Sequence, residues 1–350
     1  MHNMHEVARR AGVSLGTVSN VLNHPELVSD ETRSRVERTI EELGFVRNGS
    51  ARHLRVGSTQ SIGLVVLDVS NPFFTEVAHG AEDAASKRGY IVILCNSDNS
   101  LRKEQNYLRT LEEQRVGGVL IVPLDDQANY QRALRRSGAS VVLLDRVSKN
   151  PDVCSVSVDD VYGGALAARH LLELGHRRFA YIHGPFTSPQ YVDRLDGLRS
   201  TVRAAGLDPD TAISCISAET DNAHAGVACV EAFLHLQDRP TAIFCGNDYL
   251  AMGVMYELGQ QGLSAPGDVA VIGYDDIDLA SMFPVPLTTI RQPKYDLGFA
   301  AADLLLDEIT NKAAHTHRQI VFRPELIVRQ STDASMNGGS KSRTLTSRHP

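Results

Sequence analysis

Two successive series of strand-length apolar runs, each broken by helix-length stretches, constrain this chain more than any other feature. The first series predicts strands at Ile62–Leu67, Tyr90–Leu94, Val119–Val122 and Val141–Leu144, with helices near 73–88, 102–115 and 127–137. The second predicts strands at Phe179–Ile182, Ala212–Ile216, Ala242–Cys245 and Val269–Gly273, with helices near 190–205, 223–235 and 249–260. Continuous apolar strands separated by helices imply parallel sheets covered on both faces. Two series imply two similar lobes, with late strands near Thr288–Arg291 and Ile320–Val328 crossing back between them. Ligands of parallel sheets bind at the carboxyl ends of the strands, so facing lobes predict a pocket in the cleft.

Ahead of this body lies a helical head. Met4, Val7, Ala8 and Ala11 recur at helical spacing, and Gly12 ends the helix. Ser14 is placed to cap a second helix whose apolar stripe is Val18, Val21 and Leu22. Gly16, Asn20 and Asn23 fall opposite that stripe. A third helix begins at Ser29, carries Val36, Thr39, Ile40 and Leu43 inward, and stops at Gly44. Two short helices joined by a tight Gly-containing turn make a helix-turn-helix, whose second helix enters the major groove of DNA.

The run EVARRAGVSLGTVSNVLN, followed by VSDETRSRVERTIEELGFVRN and ARHL, closely resembles the head of the LacI–GalR repressor family. That resemblance extends over nearly all of residues 4–330. It implies an all-α helix-turn-helix head followed by an α/β, two-lobed, type I periplasmic-binding-protein-like body. The expected boundaries are 1–46 for the head, 47–60 for a hinge, 61–330 for the body and 331–350 for a disordered tail. Within the body, one lobe is expected over 61–160 plus 292–318 and the other over 161–291 plus 319–330.

By the same resemblance, Leu15, Gly16 and Asn20 occupy base-reading positions. Ser14, Thr17, Ser19 and Asn23 suit phosphate contacts, which position a helix without specifying sequence. Asparagine pairs well with an adenine edge and leucine packs on a thymine methyl, whereas Gly16 offers no side chain. In the hinge, Leu54 matches the leucine that wedges into the minor groove, flanked by Asn48, Ala51, Arg52 and Arg55. Arg47, Gly49 and Ser50 depart from the family pattern, which implies a hinge helix that relies on DNA to form.

For the cleft, strand ends and the resemblance together nominate Phe73, Phe74, Asp145, Arg146, Asp159, Arg194, Asn247 and Asp275. Asp248 and Asp276 read instead as structural charges that cap a helix or bridge the lobes. Many family members have an aromatic where this chain has Thr220 or Asp221, so a second stacking wall is missing. One aromatic wall in a pocket rich in Asp, Arg and Asn favours a polyhydroxylated effector, most simply a sugar, with a purine-like molecule as the alternative.

Composition and motifs exclude other classes. The net charge is −7, but the first 60 residues carry eight arginines against seven acidic residues, so the acidity belongs to the body. Five scattered cysteines without a Cys-x-x-Cys pair argue against disulfides and a zinc site, and for a reducing cytoplasm. No signal-peptide stretch or membrane-length apolar run is visible, which argues against a solute-binding receptor of the same body fold. Gly12-x-Ser14-x-Gly16 spells a hydrolase nucleophile elbow, but no strand precedes the serine. The acidic run Asp275–Asp278 lacks the ligand spacing of a calcium loop, and no cofactor motif is present. The tail contains no leucine heptad. The expected species is therefore a non-enzymatic, cofactor-free homodimer that binds a pseudo-palindromic DNA operator.

Overall fold

The computed structural model describes residues 3–45, 60–124, 138–185 and 188–333. The chain divides into two compact units, 1–59 and 60–350. The expected hinge positions Asn48, Ala51, Arg52, Leu54 and Arg55, and the helix expected near 127–137, lie outside the described residues.

In the head, α1 (Met4–Ala11), α2 (Leu15–Asn23) and α3 (Asp30–Leu43) pack around Val7, Ala8, Ala11, Val18, Val21, Val36 and Leu43. Gly12 and Gly44 close α1 and α3 in the left-handed conformation, at φ 68° and 55°, where a Cβ is disfavoured. Ser14 Oγ accepts the Thr17 N–H at 3.0 Å, so the second helix is capped as its sequence predicts.

The body contains two six-stranded sheets. The first has the order β11-β5-β4-β3-β1-β2, built from β1 (Ser61–Val66), β2 (Ile91–Asn96), β3 (Gly118–Ile121), β4 (Ser140–Leu144), β5 (Cys154–Val158) and β11 (Gln319–Phe322). The second has the order β12-β10-β9-β8-β6-β7, from β6 (Phe179–His183), β7 (Ile213–Ser217), β8 (Ala242–Cys245), β9 (Ala270–Asp275), β10 (Thr288–Arg291) and β12 (Glu325–Ile327). Every pairing is parallel except β10 with β12. The central strands β1, β3, β4, β6 and β8 are buried along their whole length, which explains their unbroken apolar sequences.

Helices α4 (Pro72–Ser86), α5 (Leu101–Glu113) and α12 (Lys294–Thr310) cover the first sheet. Helices α6 (Asp160–Glu173), α7 (Pro189–Ala204), α8 (Pro209–Ala212), α9 (Ala223–Leu234), α10 (Asp248–Gln260) and α11 (Asp278–Met282) belong to the second lobe. The tightest helix crossings use glycine. A Cβ on Gly80 of α4 would run into the Tyr295 carbonyl oxygen, and one on Gly298 of α12 into that of Val77.

Three sequence expectations need correction. Cys154–Val158 is a strand, hidden in the sequence because serines interrupt its apolar residues. The run expected as one strand over Ile320–Val328 is two, separated at Arg323-Pro324. Gln319–Phe322 pairs with β5 in the first sheet, so the division that placed 319–330 wholly in the second lobe fails for this strand. Proline cannot donate to a ladder, which suits Pro324 to the crossing. Finally, the tail does not begin at 331. Ser331 and Thr332 are buried; Ser331 Oγ donates to the Val271 carbonyl at 2.6 Å and accepts the Thr288 N–H at 2.8 Å. Polar residues that look like a solvated tail are instead the hydrogen-bond partners of the outer strands.

Ending the chain after Gln330 is expected to lower the melting temperature relative to ending it after Asp333. Loss of the buried Ser331 partner alone corresponds to about 1–3 kcal/mol. Thermal unfolding of the two truncations, beside Ser331→Ala, measures this; equal melting temperatures would contradict it.

Candidate functional site

Asp145 directly follows β4 and Asp275 ends β9, each in a backbone conformation that L residues rarely adopt, at φ 54° and 112°. Left-handed backbone at non-glycine residues is strained and concentrates at sites where a side chain must be aimed. Both line a narrow cleft between the sheets of the body. Its first-lobe wall is Leu67, Asn71, Phe73 and Phe74, at the amino end of α4. Asn71 caps that helix by accepting the Phe73 N–H at 2.9 Å, which brings the two rings together edge to face, 5.0 Å apart. The second-lobe wall is Ser188, Gln190, Tyr191 and Arg194 of the α7 region, with Asp221 and Asn247. Gln292, on the crossing after β10, closes the floor.

Arg194 organises the polar half. It is 4% exposed; its Nε donates to Asp160 Oδ1 at 2.8 Å and its Nη1 to the Gly246 carbonyl at 2.6 Å. Its guanidinium lies 3.7 Å from the centre of the Tyr274 ring. Burial works against this charge, but Asp160, Tyr274 and Asp275 more than offset it and hold the guanidinium firmly protonated.

The acids respond oppositely. Burial, then the negative charge of Asp160, pushes Asp145 up to about 8, against the pull of Arg194 and Gln190. Burial pushes Asp275 up to about 6, against Arg194, the Gln292 hydrogen bond and Lys294. Gln190 Nε2 donates to the Asp145 carbonyl at 2.9 Å and to its Oδ2 at 3.0 Å, bridging the lobes. Asp145 Oδ1 is buried without a hydrogen-bond partner, as is Gln292 Oε1, whose amide nitrogen donates to Asp275 Oδ1 at 2.7 Å. Asn247 caps α10 through the Leu250 N–H at 2.7 Å and donates to the Asp221 carbonyl at 2.9 Å.

Of the eight cleft residues nominated from sequence, six come together here: Phe73, Phe74, Asp145, Arg194, Asn247 and Asp275. Arg146 lines a neighbouring depression with Lys149 and Asp193 instead. Asp159 is not among the cleft residues; its side chain caps α6 by accepting the Tyr162 N–H at 2.9 Å. The carboxylate that does meet Arg194 is the next residue, Asp160, because one step along a helix start turns the side chain toward α7. Gln190, Tyr191 and Gln292 carried no signal in the sequence, since amides and tyrosines are common on solvated helix faces. Asp248 and Asp276 are structural. Asp248 accepts Thr289 Oγ1 at 2.6 Å and the Ile277 N–H at 2.9 Å, while Asp276 pairs with Arg291 at 2.7 Å and Arg329 at 2.6 Å.

In the head, Leu15, Gly16, Asn20 and Asn23 form the exposed face of α2, with Ser14 at its start and Thr17 and Ser19 half-buried on the flanks. Asn23 donates back to the Ser19 carbonyl at 2.8 Å.

A family model for bacterial regulatory proteins of the lacI family matches residues 3–48, and one for a periplasmic-binding-protein-like domain matches residues 168–332. The chain is 36% identical over 332 residues to the HTH-type transcriptional repressor PurR of Photobacterium profundum, covering 95% of this chain and 98% of that protein. A ribose-bound LacI-family regulator from Enterococcus faecium superposes with a TM-score of 0.72 at 30% identity, over 78% of this chain and 98% of the other. The lac repressor dimer bound to operator superposes with a TM-score of 0.82 at 28% identity, over 95% and 99%. A helix-turn-helix head with a two-lobed binding-protein-like body defines a DNA-binding transcriptional repressor rather than an enzyme. The chain belongs to the lacI family of bacterial regulatory proteins. No helix among the described residues is long and apolar enough to cross a membrane.

The raised carboxyls set a pH dependence. Folded protein binds more protons than unfolded chain between the ordinary carboxylate range and about 8 for Asp145 and about 6 for Asp275. Stability is therefore greatest at low pH with respect to these groups, and is lost as pH rises through that window. Asp145→Asn is expected to raise the unfolding free energy much more near pH 9 than near pH 5, because the wild-type penalty accumulates from the ordinary carboxylate range up to about 8. Urea denaturation at both pH values tests this; the same effect at each would contradict it.

Proposed function

We propose that this repressor docks α2 in the major groove of a pseudo-palindromic operator as a homodimer, under control of a sugar-type effector held in the cleft. The observation that carries the effector class is the pair of buried polar atoms without partners, Gln292 Oε1 and Asp145 Oδ1. Gln292 Oε1 accepts, whereas the raised Asp145 carboxyl is largely protonated near neutral pH and, with Oδ2 accepting from Gln190, presents Oδ1 as a donor. A buried polar group left unpaired costs about 1–3 kcal/mol, and a hydroxyl, which both donates and accepts, satisfies either. A polyol presents such hydroxyls around its ring. Phe73 and Phe74 supply one apolar wall for its C–H face, and Asp221 supplies another acceptor where a second stacking ring would be needed for a flat heterocycle. Ribose in the Enterococcus faecium relative agrees with this reading.

A purine-like effector is the second reading, favoured by the PurR name of relatives at 36% identity. In that case Tyr191 would serve as the other ring wall.

In the head, Leu15, Gly16 and Asn20 are the base-facing positions, and Ser14, Thr17, Ser19 and Asn23 contact phosphate. Exposed Ile91 and Leu94 on edge strand β2 offer an apolar surface for pairing through the body. Effector and operator would be linked because each favours one closure state of the lobes, a coupling typically of about 1–3 kcal/mol.

A thermal-shift screen of ribose, cellobiose, hypoxanthine and guanine tests the effector class. A shift with a sugar that Asp145→Asn abolishes is expected; a shift with a nucleobase alone overturns the sugar reading. For DNA, Asn20→Ala is expected to weaken operator binding by about 1–3 kcal/mol while leaving non-specific binding unchanged, since a base-edge contact is lost rather than a phosphate contact. Fluorescence anisotropy on operator and scrambled duplexes measures both, and equal losses would remove Asn20 from the reading face.

A further inference from the structure

At the end of the first sheet away from the cleft, where β5 and β11 begin, four metal-ligating side chains converge. Cys154 opens β5, Glu308 sits in the last turn of α12, and His315 and His317 lie on the segment that leads into β11. Their ligand atoms all fall within 4.8 Å of one another, and among the described residues this is the one such group of three or more. Cys154 Sγ is 3.2 Å from His315 Nε2 and 3.6 Å from His317 Nδ1. Glu308 Oε2 is 3.9 Å from His315 Nε2 and 4.0 Å from His317 Nδ1. A tetrahedral zinc with ordinary bond lengths separates sulfur from nitrogen by about 3.6 Å and nitrogen from oxygen by about 3.4 Å. The sulfur–nitrogen separations match a tetrahedral shell to within about 0.4 Å, and the nitrogen–oxygen separations are about 0.6 Å wide of it, a gap that a bound ion would draw in.

The surroundings fit as well. His315 Nδ1 is 2.7 Å from Asp307 Oδ2, so the ring donates there and turns the Nε2 lone pair toward the cluster, the usual carboxylate–histidine support of a metal ligand. The Arg318 backbone N–H donates to Cys154 Sγ at 3.3 Å, a contact that stabilises a thiolate. Glu308 Oε2 is buried with no hydrogen-bond partner. A buried carboxylate oxygen aimed between two imidazoles and a thiol, without a donor of its own, is explained by a cation.

We propose that Cys154, Glu308, His315 and His317 form a structural zinc site. The donor set is one thiolate, two imidazoles and one carboxylate, which suits a borderline-soft ion, and four protein ligands leave no open position for catalysis. The ion ties the end of α12 and the segment 311–318 to the start of β5, and so fixes the entry of edge strand β11 before the chain crosses to the second lobe. The sequence argued against zinc because no two cysteines are closely spaced; the ligands are assembled by the fold.

The test uses the full chain made without a histidine tag. Elemental analysis after dialysis is expected to find about one zinc per protomer. Replacement by Co(II) is expected to give tetrahedral d–d bands and a thiolate-to-cobalt charge-transfer band, the latter lost in Cys154→Ser. His317→Gln and Glu308→Gln, at less buried positions, are expected to weaken zinc at least about tenfold in chelator competition, as loss of a ligand does. Chelator-stripped wild type, which needs no substitution, is expected to melt several degrees lower and to recover with added zinc. Zinc below about 0.1 per protomer, with no cobalt spectrum and no change in melting temperature on adding zinc, overturns the proposal.

Discussion

Arg194 is the charge on which the body's polar interior depends. It reaches from α7 to Asp160 on α6, to the Gly246 carbonyl beyond β8 and to the ring of Tyr274 on β9. A buried ion pair is weak evidence for stability, because desolvation offsets much of its attraction, yet losing one partner strands the other at a cost of about 3–5 kcal/mol. Here the guanidinium does more than balance Asp160. It also restrains the charge cost of Asp145 and Asp275, and so permits two strained, buried carboxyls to face one cleft.

The same region carries direct hydrogen bonds between the lobes. Gln190 spans from the second lobe to Asp145 in the first, and Tyr249 donates to the Ser70 carbonyl at 2.9 Å. Both would break if the lobes separated. A ligand that contacts Asp145 therefore acts on a group that already reports closure, which is the differential contact a population shift requires. At the far end of the first sheet, the Cys154 cluster would fix the entry of β11, the strand from which the chain crosses to the second lobe at Arg323-Pro324.

Much of this was legible in the sequence. Unbroken apolar runs marked most central strands because burial on both faces favours them, and β5 escaped because Ser155 and Ser157 are buried within it. Helical spacing of Val7, Ala8, Ala11, Val18 and Val21, with Gly12 and Ser14 at the turn, marked the head. Of the six nominated residues that line the cleft, Phe73, Phe74, Asp145, Asn247 and Asp275 lie at or just beyond strand ends, where parallel sheets place them, whereas Arg194 lies within α7 and was reachable only through the family resemblance. The misses have physical causes. Asp159 and Asp160 are adjacent acids, and only the direction of a helix start decides which one caps and which one pairs. Ser331 and Thr332 look solvated until the strands they satisfy are in place.

By itself, then, the sequence determined most of the elements, the repeat of two lobes and the three-helix head, since these follow from local periodicity, capping and unbroken burial. Only the tertiary structure decided which polar groups would be left without partners. Asp145 Oδ1 and Gln292 Oε1 in the cleft, and Glu308 Oε2 beside Cys154, His315 and His317, are defined by neighbours far away in the chain. Hydrogen-bond satisfaction and metal geometry depend on distances of a few ångströms between remote segments, and no local pattern encodes them.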